Sequence, residues 1–294
     1  MTLTHRRAVF LMIFVTLLWS TAGVVTRQLE QARSFEITFW RSFFTVISLL
    51  IILPLFQGRA VFTRIGSGGK TLWLSGLCWS VMFTAFMLAL TLTSVANVLV
   101  TLAIGPLLTA VVAWVVIGHR IAPHTWGAIA AAGMGIAWMH GQQFAVGNAQ
   151  QLAGTAVALL VPIAGAVNWT LVQRSQNLGQ KIDLVPAVLI GAVISSLVTL
   201  PLALPFSASG HDIAWLAFLG LTQLAIPCVL SVLCATALKA PEISLLALLE
   251  VIFGILWAWV GAGEAPGPNV LTGGALVIGA LIANELIGMR QRST

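Results

Sequence analysis

Two ionisable residues stand where hydrocarbon should surround them: Arg41 in the apolar run 36–57 and Glu250 in the apolar run 243–262. A charge at the centre of a membrane helix costs about 2.5–3.5 kcal/mol on insertion scales, so each is a candidate for function. Arg41 is about five residues inside its run, roughly 7 Å deep at 1.5 Å per residue, a depth from which an arginine can snorkel. Its guanidinium offers paired donors in a fixed plane, which suits the carboxylate of a bound solute. The alternative is a structural bond to neighbouring carbonyls or to Glu36, a little more than one turn away on the same helix. Glu250, near the eighth position of its run, is too deep for so short a side chain to reach water, and no basic residue lies within a turn of it. It must find a partner or a proton. It is therefore a candidate to take up and release a proton, with a neutral, hydrogen-bonded helix contact as the alternative.

Further polar and aromatic groups lie inside other apolar runs. Asn97 and Thr101 share one helical face, Asn168 adjoins Trp169, and Gln223 is mid-run. Trp19, Trp79, Trp114, Trp169 and Trp259 are deep enough to wall an apolar cavity with a polar handle, a lining suited to a zwitterion. The competing readings are plain packing for the tryptophans and interhelical hydrogen bonding for the amides. Trp73, Trp126 and Trp215 fall near run ends, where membrane interfaces collect tryptophan. His140 and Glu285 also lie near ends and read as interfacial. Cys78, Cys228 and Cys234 have no His or carboxylate spaced to join them, so neither a metal nor another cofactor is expected. With no paired acids and no nucleophile beside a base, no enzyme is expected either. Gly66-Ser67-Gly68-Gly69-Lys70-Thr71 ends like a phosphate-binding loop, but Arg64 occupies the first glycine position and no strand precedes it, so a flexible linker is expected.

The elements that must position these groups are membrane helices. Of 294 residues, 59% are hydrophobic and 7% charged, against roughly 25% charged in ordinary soluble domains. Apolar runs near 8–27, 36–57, 71–92, 95–117, 125–143, 152–172, 184–206, 212–236, 243–262 and 270–289 are each long enough for a core that needs about 20 helical residues. The expected fold is all-α and integral to the bilayer, with ten spans. With both termini in the cytoplasm, Arg6, Arg7, Arg59, Arg64, Lys70, Arg120, Arg174, Lys181, Lys239, Arg290 and Arg292 fall inside, and only Arg27 and Arg33 outside, as the positive-inside rule demands. The net charge of +6 is therefore a cytoplasmic rim rather than a nucleic-acid surface.

The chain also repeats. At an offset of 147 residues Val25-Thr26-Arg27 falls on Val172-Gln173-Arg174, and Leu53-Pro54-Leu55 falls on Leu200-Pro201-Leu202. Two five-helix units, 1–147 and 148–294, follow, and because five is odd the second must enter from the opposite side. Inverted repeats give two nearly equivalent shapes open to either face, the physical basis of alternating access. Gly127, Ala128, Ala131, Gly133 and Gly135 in the fifth run and Gly273, Gly274, Gly279, Ala280 and Ala283 in the tenth permit close helix approach. These two helices are expected to form a scaffold or a homodimer face, leaving monomer or dimer open.

Gly105-Pro106-Leu107 leading through Trp114 to Gly118, then Gly127 and Gly133, resembles the repeat of the drug/metabolite transporter superfamily, in particular its EamA-type exporters. The second half resembles it better, with Leu249-Glu250-Val251, Trp257-Ala258-Trp259, Gly263-Glu264-Ala265-Pro266 and Gly273-Gly274-Ala275; Leu18-Trp19-Ser20 and Phe39-Trp40-Arg41-Ser42 match the first two helices. His119 stands where the first repeat usually has Glu, and Val251 replaces the proline after the helix-9 carboxylate. The resemblance implies a multi-pass protein of a bacterial-type cytoplasmic (inner) membrane that exports amino acids or similar zwitterions by secondary-active transport. Amphipathic drugs or organic cations, an uptake direction and a passive facilitator are the alternatives.

Overall fold

In the computed structural model residues 3–118, 122–146, 149–177, 183–235, 237–238 and 240–293 are described. His119, Arg120, Lys181 and Lys239 lie outside them, as do the side chains of Arg64, His140, Glu285, Arg290 and Arg292. The described chain is all-helical. α1 (His5–Trp19) and α2 (Thr21–Thr26) form the first span, followed by α3 (Ser34–Gln57), a short α4 (Ala60–Ser67) and α5 (Gly69–Leu92). The fourth span is α6 (Val95–Leu102) with α7 (Gly105–Ile117); then come α8 (Pro123–Val146), α9 (Ala149–Asn177) and α10 (Pro186–Ala203). The eighth combines α11 (Gly210–Leu219), a π-helical turn Gly220–Ala225 and α12 (Ile226–Cys234), and α13 (Ala240–Ala262) and α14 (Pro268–Ser293) complete the chain. Among the described residues eight helices are long and apolar enough to cross a membrane, and Leu246–Ala262 is a shorter apolar one.

The outer surface explains the composition. Leu55, Phe56, Val115 and Val260 are each more than 70% exposed, which a bilayer solvates and water does not. Trp114 and Trp259 belong to this surface: they are 44% and 56% exposed, and Trp114 meets Trp126 edge-on. Their expected place in a cavity wall is thereby overturned, because depth along an apolar helix says nothing about which face a side chain occupies. The segment expected as a flexible linker is instead helical on both sides of Gly68: Gly66-Ser67 closes α4 and Gly69-Lys70-Thr71 opens α5, with Gly69 at φ +65°.

Three expected continuous spans are interrupted, each for a local reason. In the first, Thr16, Ser20 and Thr21 donate their hydroxyls to Ile13, Leu17 and Leu18 carbonyls, a back-bonding that bends helices. In the fourth, Pro106 has no N–H and its ring displaces the preceding turn, so α6 ends at Leu102 and α7 begins at Gly105. In the eighth, Pro227 follows the π-turn, which absorbs the missing donor by widening the helix.

α8 and α14 pack chiefly on each other. A Cβ built on Gly273 would lie 2.6 Å from the Gly135 carbonyl, and one on Gly135 2.8 Å from the Gly273 carbonyl, so the backbones touch where only glycine fits. Gly127, Gly133 and Gly279 instead face open space.

On the face opposite the N-terminus two fully buried carboxylates clasp the loops. Asp212 accepts the N–H groups of Glu30, Gln31 and Ala32 at 2.9 Å each, and of Ser209 at 3.3 Å. Glu36 accepts from the Ser207 and Ala208 N–H groups and the Ser207 hydroxyl. Glu36 is therefore committed to the loop before α11 and does not pair with Arg41. Asp212→Ala is expected to cost about 3 kcal/mol, because it strands several buried donors at once; thermal unfolding in detergent measures it.

Candidate functional site

The helix interruptions converge on one cavity of about 190 Å³. Trp19 at the end of α1, Leu102, Gly105 and Pro106 at the break of the fourth span, Pro162 within α9 and Gln223 in the π-turn all line it. Irregular backbone is tolerated at membrane depth where it lines such a cavity, and broken helices are where transporters build binding sites. The walls are otherwise aromatic and aliphatic. Trp79 and Trp169 meet edge-on with centroids 6.3 Å apart, and Trp79 tilts against Phe83 at 5.5 Å.

Arg41 enters this cavity from α3 with no surface exposure. Its Nη2 donates to the Phe83 carbonyl at 2.6 Å and its Nη1 to Gln223 Oε1 at 2.9 Å. The guanidinium carbon lies 5.8 Å from the Phe86 ring centroid. Its Nε is buried without a hydrogen-bond partner, and among the described residues no carboxylate bonds to it. The structural reading of Arg41 thus holds for one carbonyl and Gln223, while its Nε has no partner and no carboxylate among the described residues balances its charge.

Glu250, midway along α13, lines the same cavity and is half-buried. Among the described residues no donor bonds to its carboxyl. Cys228 lines the same cavity beside Trp19, Arg41 and Glu250. A cation and a carboxyl that share one low-dielectric cavity without bonding each other offer a ligand of both signs two places to bind.

Trp19, Arg41, Trp79, Trp169, Gln223 and Glu250 are therefore brought together. Asn97, Thr101 and Asn168 are buried but lie off the cavity wall. Asn97 donates to Thr93 Oγ1 and Thr101 to the Asn97 carbonyl, both within the fourth span's first turns, and Asn168 accepts from Ser75 across α5 and α9 at 2.6 Å. Two groups had no signal in the sequence reading. One is the hydroxyl cluster in which Ser195 bonds Ser42 and Thr84 at 2.9 Å each. The other is the ion pair of Arg27 with Glu264 at 2.6 Å. The Asp212 clasp did carry one, since Ser209-Gly210-His211-Asp212 has capping-box spacing.

Residues 6–140 match the profile of the EamA-like transporter family. No curated protein matches the chain. A solved crystal structure has the same fold, with a TM-score of 0.65 over 97% of this chain and 99% of that one at 17% identity.

Proposed function

The chain belongs to the EamA-like transporter family, within the drug/metabolite transporter superfamily, and from that premise we propose that it exports small zwitterions, amino acids above all, by proton-coupled alternating access. The observation that carries this reading is that one cavity is faced both by Arg41, whose Nε has no partner, and by Glu250, to whose carboxyl no donor bonds among the described residues. Arg41 receives the substrate carboxylate, with Gln223 orienting the guanidinium. Glu250 binds the ammonium group or a proton in turn, so that loading one releases the other. Trp19, Trp79 and Trp169 take the apolar part of the substrate. A cavity of about 190 Å³ is below the roughly 300–1,000 Å³ of drug-sized sites, which favours small metabolites over amphipathic drugs.

The reading of 1–147 and 148–294 as inverted halves draws support from the packing. The first span packs on α13 as the fourth packs on α9, and α5 packs on α9 and α10 as the eighth span packs on the first and on α3. Exchanging the halves turns each pair into the other. The cytoplasmic placement of both termini draws support from Arg6, Arg7, Arg59, Lys70 and Arg174 lying at helix ends that the alternating direction of the helices puts on the side of the N-terminus, with Arg27 and Arg33 at ends on the other side.

Liposomes loaded with a labelled amino-acid mixture and placed in a proton gradient test the proposal. Release that saturates and follows the gradient is expected from the wild type. Glu250→Gln is expected to abolish gradient-driven release and to weaken substrate-for-substrate exchange as well, because it removes both the proton site and the carboxylate that receives the ammonium group. Release equal to that from empty liposomes would remove amino acids as cargo, and release indifferent to gradient and mutation would make the protein a facilitator.

A further inference from the structure

Toward the face opposite the N-terminus α2, α6 and α13 pack on one another at glycines. A Cβ on Gly23 would lie 2.5 Å from Val95 Cγ1, one on Gly254 2.4 Å from Leu99 Cδ1, and one on Gly261 2.6 Å from Val24 Cγ2. These contacts join α2 to α6, α13 to α6 and α13 to α2, so the three helices seal one another. Leu99 belongs both to the seal and to the cavity wall.

An ion pair ties off the end of this seal. Arg27 donates through Nε to Glu264 at 2.6 Å, through Nη1 to the Leu90 carbonyl at 2.8 Å and through Nη2 to the Thr93 carbonyl at 3.1 Å. The other Glu264 oxygen accepts from the Val95 N–H at 2.6 Å. One pair therefore holds the ends of α2, α5, α6 and α13. Its side chains are 29% and 22% exposed, so water solvates them when they part and separation is inexpensive. The other tie on this face differs in kind. Asp212 and Glu36 have no exposure, and parting them from their loops would leave buried carboxylates with no donors, a far larger penalty.

Building on the alternating-access reading, we infer that Arg27–Glu264 is the latch of the outer gate, that the gate opens by parting α13 from α2 and α6, and that the Asp212 and Glu36 clasp stays shut as the pivot. Glu250 rides on the same helix that the latch releases, so the cavity's ionisable group moves with the gate.

A labelling experiment tests this without cargo or gradient. Cys78, Cys228 and Cys234 are replaced by Ala and Ala247→Cys is placed in the cavity wall; a membrane-impermeant maleimide is then applied to right-side-out vesicles. Glu264→Gln and Arg27→Gln are each expected to raise the labelling rate about five-fold, the scale of losing one partly exposed ion pair. The double variant should label no faster than the faster single one, and Asp212→Asn should label at the parent rate in the fraction that remains monodisperse with an intact thermal transition. Unchanged labelling in both latch variants overturns the latch, and acceleration by Asp212→Asn equal to theirs overturns the pivot. Accelerated labelling in a protein that moves no amino acid supports the latch while removing only the cargo assignment.

Discussion

Arg41→Lys is expected to lower exchange of amino acids about 100-fold, a loss of roughly 2.7 kcal/mol in substrate binding, while leaving exchange of the corresponding decarboxylated amines within a few-fold of wild type. Lysine keeps the charge and most of the length, but it has no planar fork. Arg41 spends one Nη1 hydrogen on Gln223 and one Nη2 hydrogen on the Phe83 carbonyl, which leaves its unpartnered Nε–H and the second hydrogen of each Nη for a substrate. A lysine that held either existing partner would have to give up the geometry that presents the others. The amine control separates recognition from packing, since an amine lacks the group that Arg41 is proposed to hold. Equal losses for amino acids and amines, with a matching fall in thermal midpoint, would make Arg41 a packing residue of the α3–α5 contact and nothing more.

That Arg41 and Glu250 belong to one site was only half legible in the sequence. Each announced itself singly, because a charge in an apolar run is expensive and therefore informative. Trp19, Trp79, Trp169 and Gln223 were legible for a related reason, as large or polar groups far from an interface. Their meeting was not, because it depends on where α1, the fourth span and the π-turn break, and only the prolines at 106, 162 and 227 hinted at that. Asn97, Thr101 and Asn168 show the limit of residue type. Asn97 and Thr101 do share one face of α6, but a polar face on a membrane helix can serve a neighbouring helix or carbonyl as well as a cavity. Trp114 and Trp259 failed to reach the cavity by the same logic, facing outward at a depth that suited either place. The helices themselves were legible to within a few residues, and eight of them, with the shorter apolar Leu246–Ala262 beside them, have the length and hydropathy of spans among the described residues. The latch was invisible because its partners are 237 residues apart and each reads alone as an ordinary loop charge.

Gly220→Ala is expected to be the most damaging of the small-residue changes, costing about 3 kcal/mol of stability and most of the transport activity together. The added Cβ would lie 2.7 Å from Phe44 Cβ, 2.8 Å from the Arg41 carbonyl oxygen and 2.9 Å from the Thr45 backbone nitrogen. Two of these are main-chain atoms and the third is the stiff root of a side chain, so no rotamer change can make room. The π-turn must move away from α3 as a unit. That movement lengthens the bond from the Thr45 hydroxyl to the Gly220 carbonyl, now 3.1 Å, and draws Gln223, one turn on, away from Arg41. A single methyl group thus acts at once on the packing of the eighth span and on the orientation of the cavity's cation. Gly133→Ala and Gly279→Ala, where nothing lies within 4 Å, are the controls and should lower neither thermal midpoint nor exchange, since alanine favours a helix where its methyl fits. The sharper outcome is the order of losses across temperature. If the Gly220 variant is assayed well below its lowered midpoint, exchange should still be impaired, because the Arg41–Gln223 alignment is displaced even in the folded protein. Recovery to wild-type exchange under those conditions would confine the π-turn to a structural role and free Gln223 from any part in holding the guanidinium.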